Sequence, residues 1–309
     1  MYYIPDGLRL IIGPLNLVVA LVFTPAYLRI VYIFCSKTKY RGLECYRLMI
    51  QIGILQILVS VATVSSGFHY ITNTEFTWFS RATVALFSAT LKTMCVLDLE
   101  LALNRLTVIC GLRYPWFVSK ALILFGYLYG LAHLCLILSP LAGLNDEKKY
   151  FVGLNETKPW SRIVGIVNLH VMTTVYTVTM CVYLGLIGYL VCMRRPTQTV
   201  FNLNRESTIL WTAGLRFVVN MDLVIVFYLA LPTEIAVINV LVGVSYYVNH
   251  LCVPVVLYLV LGRTLRSEFF SSCKKDKVAT VSNFVISHVK SPAIPTVPKF
   301  YNKWRSTAN

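Results

Sequence analysis

Charged side chains are scarce in this sequence. Only 13% of its 309 residues are Asp, Glu, Lys or Arg, whereas 57% are hydrophobic, and the mean hydropathy is +0.68. Soluble domains carry about 25% charged residues, which is roughly twice this share. The composition therefore excludes an ordinary soluble protein and indicates a chain that crosses a membrane several times.

Groupings of catalytic and metal-ligating side chains are missing as well. The five histidines are scattered along the chain, and none has neighbours at the spacing of a zinc site. No nucleophile, base and oxyanion donor converge in the sequence pattern. We therefore expect no enzyme, no bound metal and no cofactor.

The chain also lacks the charge pattern of a nucleic-acid binder, although its net charge is +15. Such proteins gather their basic residues on one face or stripe. Here the Lys and Arg residues lie mainly in the linkers between apolar runs. We therefore expect membrane lipid, and no nucleic acid, as a partner of the basic residues.

Seven apolar runs are long enough to cross a bilayer, which takes about 20 mostly apolar residues. They are Leu10 to Phe34, Tyr46 to Phe68, Ala82 to Cys110, Ser119 to Leu138, Ile163 to Cys192, Thr208 to Leu231 and Ile235 to Leu261. The sequence therefore predicts an all-α polytopic membrane protein with seven transmembrane helices. The opening residues MYYIPD lack the charged segment and cleavage site of a secretory signal, so we expect the first run to remain as an anchor.

The basic linkers predict the orientation, because short cytoplasmic loops are enriched in Lys and Arg. These residues cluster after the first, third and fifth runs. We therefore expect a multi-pass protein of the plasma membrane with its N-terminus outside and its C-terminus in the cytoplasm. The segment between the fourth and fifth runs is also basic, although this orientation places it outside the cell. That segment, however, holds Asn155-Glu156-Thr157, the only glycosylation sequon, and a glycan acceptor must face the lumen, so Asn155 is a predicted glycosylation site.

None of the nine cysteines lies in a segment that we expect outside the cell, so no external disulfide is expected. Beyond the seventh run, residues 263–270 alternate basic and apolar positions, which predicts a short amphipathic helix on the inner leaflet. Cys273 is a candidate for palmitoylation, and an ordinary thiol is the equal alternative. From residue 274 the chain is basic and rich in Ser, Thr and Pro. We therefore expect a seven-transmembrane domain, residues 1–273, and a flexible cytoplasmic tail, residues 274–309.

The third run carries ionisable side chains of both signs. Such groups usually face the bundle interior, so this helix is predicted to be central. We expect Lys92 either to pair with Asp222 of the sixth run or to meet an acidic ligand, and structural pairing is the commoner case for both Lys92 and Asp98. Arg216 and Asn220, four residues apart, share one face of the sixth run.

Three motifs, in the same order along the chain, resemble the nematode serpentine chemoreceptors, closest to the serpentine receptor class T family. They are Cys45-Tyr46-Arg47-Leu48-Met49 with Gly53-Ile54-Leu55, then Ala102-Leu103-Asn104-Arg105, then Pro254 to Tyr258 with Arg263-Thr264-Leu265-Arg266. The chain departs from the family at Gln56, where an aspartate is usual. It also lacks the external cysteine near Ser80 and the sixth-helix proline of the wider superfamily.

The resemblance implies a rhodopsin-like G-protein-coupled receptor that converts binding of an external ligand into a cytoplasmic signal through a heterotrimeric G protein. It assigns coupling and activation to Asn104, Arg105, Pro254 and Tyr258. The Arg105 guanidinium offers five donors in a planar fork, which suits contact with a bound protein helix. The alternative is an arginine that only fixes the depth of the helix.

The external halves of four helices carry candidate ligand-binding residues. They are Phe87, Thr90, Leu91, Lys92, Tyr176, Tyr228 and Tyr246. Such a set predicts a small, mostly apolar pocket with a few hydroxyls, although most aromatic residues in membrane proteins serve the core or the interface. The short segment before the first run favours a small-molecule or short-peptide ligand over a folded protein.

A small-solute transporter or channel that uses the intramembrane charges is the alternative function. Transporters often show repeated halves with paired interrupted helices, and no such repeat is visible here. The sequence leaves open the identity of the ligand, the class of G protein and whether the receptor forms a dimer.

Overall fold

The structure is a computed structural model that describes residues 6–72, 78–111, 115–144, 154–155, 157–192, 213–226 and 236–275. Within these ranges the regular structure is helical, with one isolated antiparallel bridge between Leu144 and Leu154. The helices are α1 (Asp6–Ser36), α2 (Thr38–Arg41), α3 (Glu44–Thr72), α4 (Trp78–Cys110), α5 (Trp116–Leu138), α6 (Pro159–Cys192), α7 (residues 213–226), α8 (Ala236–Leu261) and α9 (Arg263–Lys275). The chain divides after Phe269, and every contact reported below lies in the first unit.

The predicted apolar runs coincide with these helices. Among the described residues, α1, α3, α4, α5, α6 and α8 are long and apolar enough to span a membrane. The sixth run, Thr208 to Leu231, is described only over residues 213–226, and these form α7. The all-α prediction is therefore confirmed. The four-residue helix α2, in the linker after α1, was not predicted.

The end of α4 follows from local chemistry. Gly111 has φ of 68°, a left-handed conformation that glycine adopts without the steric cost of a Cβ atom and that commonly ends helices. Its N–H donates to the Thr107 carbonyl at 3.0 Å. Pro115 then precedes α5, in an extended conformation that suits a helix start. Two breakers thus separate the third and fourth spans.

Helix α4 is the centre of the bundle, as predicted. In its most apolar stretch 67% of the residues are buried, against 22% in α5 and 28% in α6. It contacts α3, α5 and α6 directly. Helices α5 and α6 instead expose many large apolar side chains, which is the pattern of a surface that faces lipid.

Glycines allow two helix pairs to approach closely. A Cβ atom at Gly130 of α5 would lie 3.0 Å from the Ala89 carbonyl oxygen of α4 and would overlap the Thr93 side chain. In the same way a Cβ at Gly13 of α1 would lie 3.1 Å from the Gly67 carbonyl oxygen of α3. Small residues at membrane helix crossings let backbones come within van der Waals contact.

The short helix after the seventh span is present, and it is longer than the predicted residues 263–270. Leu265 is buried in the largest apolar cluster together with Tyr258, whereas Arg263 and Arg266 are exposed. The Arg29 guanidinium lies 4.9 Å from the centre of the Phe269 ring. One apolar side therefore anchors this helix beneath α8 and α1.

The described ends of the segment between α5 and α6 are held to each other by backbone contacts. Asn155 N–H donates to the Gly143 carbonyl at 2.8 Å, and Lys158 Nζ donates to the Ala142 carbonyl at 3.0 Å. Ser161 Oγ accepts from Gly143 N–H at 3.3 Å. These bonds join the described ends of the segment, and the eight cysteines whose side chains the structure describes are free thiols.

Candidate functional site

One group of predicted ligand-binding residues does come together in the structure. Phe87 of α4 meets three aromatic rings of α8, at centroid distances of 6.3 Å to Tyr246, 5.3 Å to Tyr247 and 6.5 Å to His250. Leu91 packs into the same group of side chains. We call Phe87, Leu91, Tyr246, Tyr247 and His250 the aromatic cluster. It joins the central helix to the last span.

The other candidate ligand-binding residues lie apart from this cluster. Tyr176 of α6 packs against Phe217 of α7 at 5.8 Å, in a separate apolar cluster. Thr90 is buried and donates its hydroxyl to the Phe87 carbonyl of its own helix at 2.7 Å. Lys92 points toward α5. Tyr228 lies outside the described residues.

A buried ion pair joins α4 to α7. Arg216 Nη2 lies 3.5 Å from Asp98 Oδ1, and the two side chains are only 6% and 9% exposed. Two charges removed from water are stabilised only when they are paired and hydrogen-bonded. Asp98 thus has the structural partner that was expected to be the commoner case, and the partner is Arg216.

Two amides extend this pair to α8. Asn220 Nδ2, one turn after Arg216, donates to Asp98 Oδ2 at 3.5 Å, and Asn249 Nδ2 of α8 donates to Asn220 Oδ1 at 2.5 Å. Asn249 therefore gives its donor to an amide of α7. We call Asp98, Arg216, Asn220 and Asn249 the polar bridge, because it ties together three spanning helices.

A small cavity lies beside the polar bridge. Asp98, Arg216, Tyr183 and Tyr258 supply its polar lining, and its volume is about 10 Å³. That volume is about the minimum for one water molecule, which needs two to four polar partners. This cavity therefore has room for one water that bridges the polar side chains.

Arg105 lies at the opposite end of α4 from Trp78 and is only 1% exposed. The neighbouring Asn104 Nδ2 donates to Glu44 Oε2 of α3 at 3.4 Å.

Tyr258 connects this end of the bundle to α1 and α3. Its ring stacks on Tyr27 at 6.4 Å, and the Tyr27 hydroxyl donates to Gln56 Oε1. Gln56, at the position where the resemblance expects an aspartate, is fully buried. Pro254, one turn before Tyr258, is also buried. Tyr258, Tyr27 and Gln56 form a second polar junction.

Lys92 has a different neighbourhood from the one predicted. Its Nζ donates to Ser88 Oγ at 3.0 Å. Asp222, the expected partner, is exposed on α7. Among the described residues no ion pair joins the two, and the prediction of a Lys92–Asp222 pair is wrong because Lys92 projects from the side of α4 that faces α5.

Two residues in the same region were not singled out from the sequence. His133 Nε2 of α5 lies 2.9 Å from Ser88 Oγ, and Asn168 Nδ2 of α6 lies 3.2 Å from His133 Nδ1. The available signal was the spacing of Gly126, Gly130 and His133, which places all three on one side of α5. These residues are buried against α4.

The predicted modification sites differ in how far the structure describes them. Asn155 is half-buried in the segment between α5 and α6, and its Oδ1 accepts from Thr157 N–H at 3.0 Å and from the Thr157 hydroxyl at 2.6 Å. Cys273 falls within α9, but its side chain lies outside the described part of the structure. Their modification stays a prediction.

The sequence matches no family model and no curated protein. The structure is similar to that of squid rhodopsin, with a TM-score of 0.66 and 9% sequence identity, over 90% of this chain and 89% of that chain. This likeness shows the fold. The predicted seven-transmembrane-helix bundle of rhodopsin-like architecture is therefore confirmed.

Proposed function

We propose that the protein is a G-protein-coupled chemosensory receptor, related to the nematode serpentine receptor class T family. The sequence motifs at Cys45, at Asn104-Arg105 and at Pro254 to Tyr258 support the family. The rhodopsin-like fold supports the receptor class. In this proposal the protein spans the plasma membrane with its N-terminus outside, and residues 274–309 form a cytoplasmic tail.

The polar bridge is the observation that carries the proposal. It links α4, α7 and α8 through Asp98, Arg216, Asn220 and Asn249, and it lies between the aromatic cluster and buried Arg105. His250, next to Asn249 on α8, stacks on Tyr246 of the aromatic cluster at 6.2 Å. A ligand that displaces these rings would therefore move Asn249 and change the contacts of the polar bridge directly.

Signal transfer then follows from the energetics of the buried pair. The 3.5 Å separations in the bridge are long for charge-assisted hydrogen bonds, which are typically about 2.7–2.9 Å. A shift of α7 relative to α4 changes the interaction energy of these contacts steeply, because the surroundings have a low dielectric constant. In this proposal the polar bridge has two arrangements. A ligand selects one of them by binding the protein more tightly in that arrangement.

The cytoplasmic partner is a heterotrimeric G protein, and Asn104, Arg105, Pro254 and Tyr258 are the coupling and activation residues. In the structure Arg105 is buried, which we assign to the uncoupled state. On activation α7 moves away and the guanidinium turns outward, where its fork of donors binds carbonyls or a carboxylate of the G protein.

On the external side the ligand is a small molecule or short peptide that contacts Phe87, Leu91 and Tyr246 of the aromatic cluster. Lys92, on the side of α4 that faces α5, belongs to the same external half. Asn155 carries a glycan on the same side, and Cys273 carries a palmitoyl group on the inner leaflet. The transporter alternative is less well supported. Asp98 is paired with Arg216, and the described cavity beside this pair, of about 10 Å³, holds no more than one water.

The test is a ligand screen in cells that express the full chain, with a second-messenger readout and radiolabelled uptake measured in parallel. We expect an active compound to change the second messenger without accumulating in the cells. Uptake or ion flux that depends on the protein, with no second-messenger change, would overturn the proposal. Cells that express Asp98→Asn at matched surface level are the control.

A further inference from the structure

The Lys92 side chain is half-buried near the middle of α4, and its ammonium group has a neutral partner only. Its hydrogen bond goes to Ser88 Oγ. Among the residues that the structure describes, no carboxylate pairs with it, since the next acid along α4, Asp98, pairs with Arg216. A cation in hydrocarbon normally has a counter-charge close by.

The Lys92 side chain is too short to reach the membrane surface. It lies near the middle of the 33-residue helix α4, on the order of 20 Å from either end at ~1.5 Å per residue. A lysine side chain is far shorter than that, so it cannot place its charge at the interface. The charge must therefore be compensated within the bundle.

A chain of hydrogen bonds fixes Ser88 from the other side. The Tyr129 hydroxyl donates to Asn168 Oδ1 at 2.7 Å, and Asn168 Nδ2 donates to His133 Nδ1 at 3.2 Å. A neutral histidine that accepts at Nδ1 carries its proton on Nε2. Nε2 therefore donates to Ser88 Oγ, at 2.9 Å.

The result is a surplus of donors at one point. Ser88 Oγ receives hydrogen bonds from both His133 and Lys92, which fill its two lone pairs. Its own hydroxyl hydrogen and two of the three Lys92 N–H groups have no acceptor among the described residues. A positive charge with neighbouring donors is the complement of a carboxylate, whose two oxygens only accept.

The side chain one turn beyond Lys92 on α4 is apolar. Cys95, one turn from Lys92, is 2% exposed and packs in the cluster that contains Tyr176 and Phe217. A ligand that reaches Lys92 would therefore have one anionic end and an apolar body.

We propose that Lys92 and Ser88 bind the carboxylate of an acidic ligand with an apolar body, with His133 and Asn168 as positioning residues. This inference rests on the proposed receptor function and names the ligand class of its external site. The Lys92 ammonium is the counter-charge, the Ser88 hydroxyl is the second donor, and the chain through His133 keeps Ser88 oriented. Binding would tie α4, α5 and α6 together.

The same arrangement predicts the effect of removing the charge. Without an anion the wild-type protein buries a cation beside a neutral oxygen, which costs free energy. Lys92→Met keeps a side chain of similar length and removes that cost. We expect the Lys92→Met protein, purified in detergent without added acid, to melt at a higher temperature than wild type.

The direct test uses acetate, butyrate and hexanoate, each paired with its primary amide, as probes in thermal unfolding of the purified full chain. Ligands that bind the folded state alone raise its melting temperature. We expect the carboxylates to raise the melting temperature of wild type, hexanoate most, and the amides to have no effect. The increase should vanish in Lys92→Met and persist in Lys92→Arg, which keeps a cation.

The matched control is Lys120→Met, since Lys120 lies exposed at the start of α5 over the Trp116 ring, and it should respond like wild type. The inference is wrong if the amides act as the acids do, if Lys92→Met responds like wild type, or if none of the three acids stabilises wild type. The assay contains no G protein, so failed coupling in cells with intact acid binding would overturn only the receptor function.

Discussion

The Asp98 carboxylate of α4 and the Arg216 guanidinium of α7 face each other across 3.5 Å in the centre of the bundle, both almost fully buried. This contact holds the central helix to the helix that is expected to move. Two carboxamides, Asn220 and Asn249, then continue the contact to α8. The arrangement places a single polar element between a predicted ligand site and a predicted coupling site.

The first prediction concerns the free energy of this pair. Asp98→Asn and Arg216→Gln each leave one buried charge unpaired, which costs about 3–5 kcal/mol. We expect each single variant to lower the melting temperature in detergent. The double variant leaves no isolated charge, so its loss of stability should be smaller than the sum of the losses in the two single variants.

Asp222→Asn is the control for this cycle, because Asp222 lies on the same helix and is exposed. This substitution should leave the melting temperature nearly unchanged. Additive losses in the double variant would mean that the two side chains do not interact, and the polar bridge would lose its basis.

A second prediction concerns the crossing of α4 and α5. A methyl group at Gly130 would meet the Ala89 carbonyl oxygen and the Thr93 side chain. We expect Gly130→Ala to separate the helices and to lower the melting temperature and the surface level. Overpacking of this kind costs about 1–3 kcal/mol.

The matched control is Gly185→Ala in α6, since an added Cβ there has no atom within 4 Å. Alanine is the better helix former by about 1 kcal/mol, so this variant should be as stable as wild type or more stable. Equal behaviour of the two variants would argue against the close crossing.

The third prediction concerns Asn155. Its position in the segment between α5 and α6, with the Thr157 hydroxyl bonded to its side chain, fits a glycan acceptor on the external side. We expect peptide N-glycosidase treatment to increase the mobility of the wild-type protein on a denaturing gel and to leave Asn155→Gln unchanged. A tag at the C-terminus that is digested on intact cells would contradict the orientation.

The sequence predicted the helices well because a membrane span is a property of one segment. Run length and composition fix it, and a left-handed Gly111 followed by Pro115 fixes where α4 stops. The central position of α4 was also predictable from its ionisable residues, since charge in a bilayer turns inward.

The partners of the charged residues were not predictable, because they depend on how each helix is rotated about its axis. Lys92 and Asp98 lie on the same helix, yet Lys92 contacts Ser88 and Asp98 contacts Arg216. The angle between their directions is set by the 3.6-residue period. Which neighbouring helix each direction meets is a tertiary property, and this is why the expected Lys92–Asp222 pair was wrong.

The fourth prediction tests coupling through Arg105, the buried residue at the cytoplasmic end of α4 in our proposal. Only a forked, permanently charged side chain supplies the donor set that a bound protein needs. We expect Arg105→Lys to signal weakly and Arg105→Ala not to signal, because a lysine keeps the charge and loses the fork. Arg81→Ala, an exposed arginine at the other end of the same helix, is the control and should signal normally.

The most direct test of the receptor function is the second-messenger response of Arg105→Ala cells, with surface protein measured in the same cells by antibody labelling of an external tag. The account predicts surface protein comparable to wild type, because removing a charge near the end of a span does not oppose membrane insertion, together with loss of the response. A transporter would instead tolerate Arg105→Ala and lose flux in Asp98→Ala. A full response from Arg105→Ala at wild-type surface level would contradict the account.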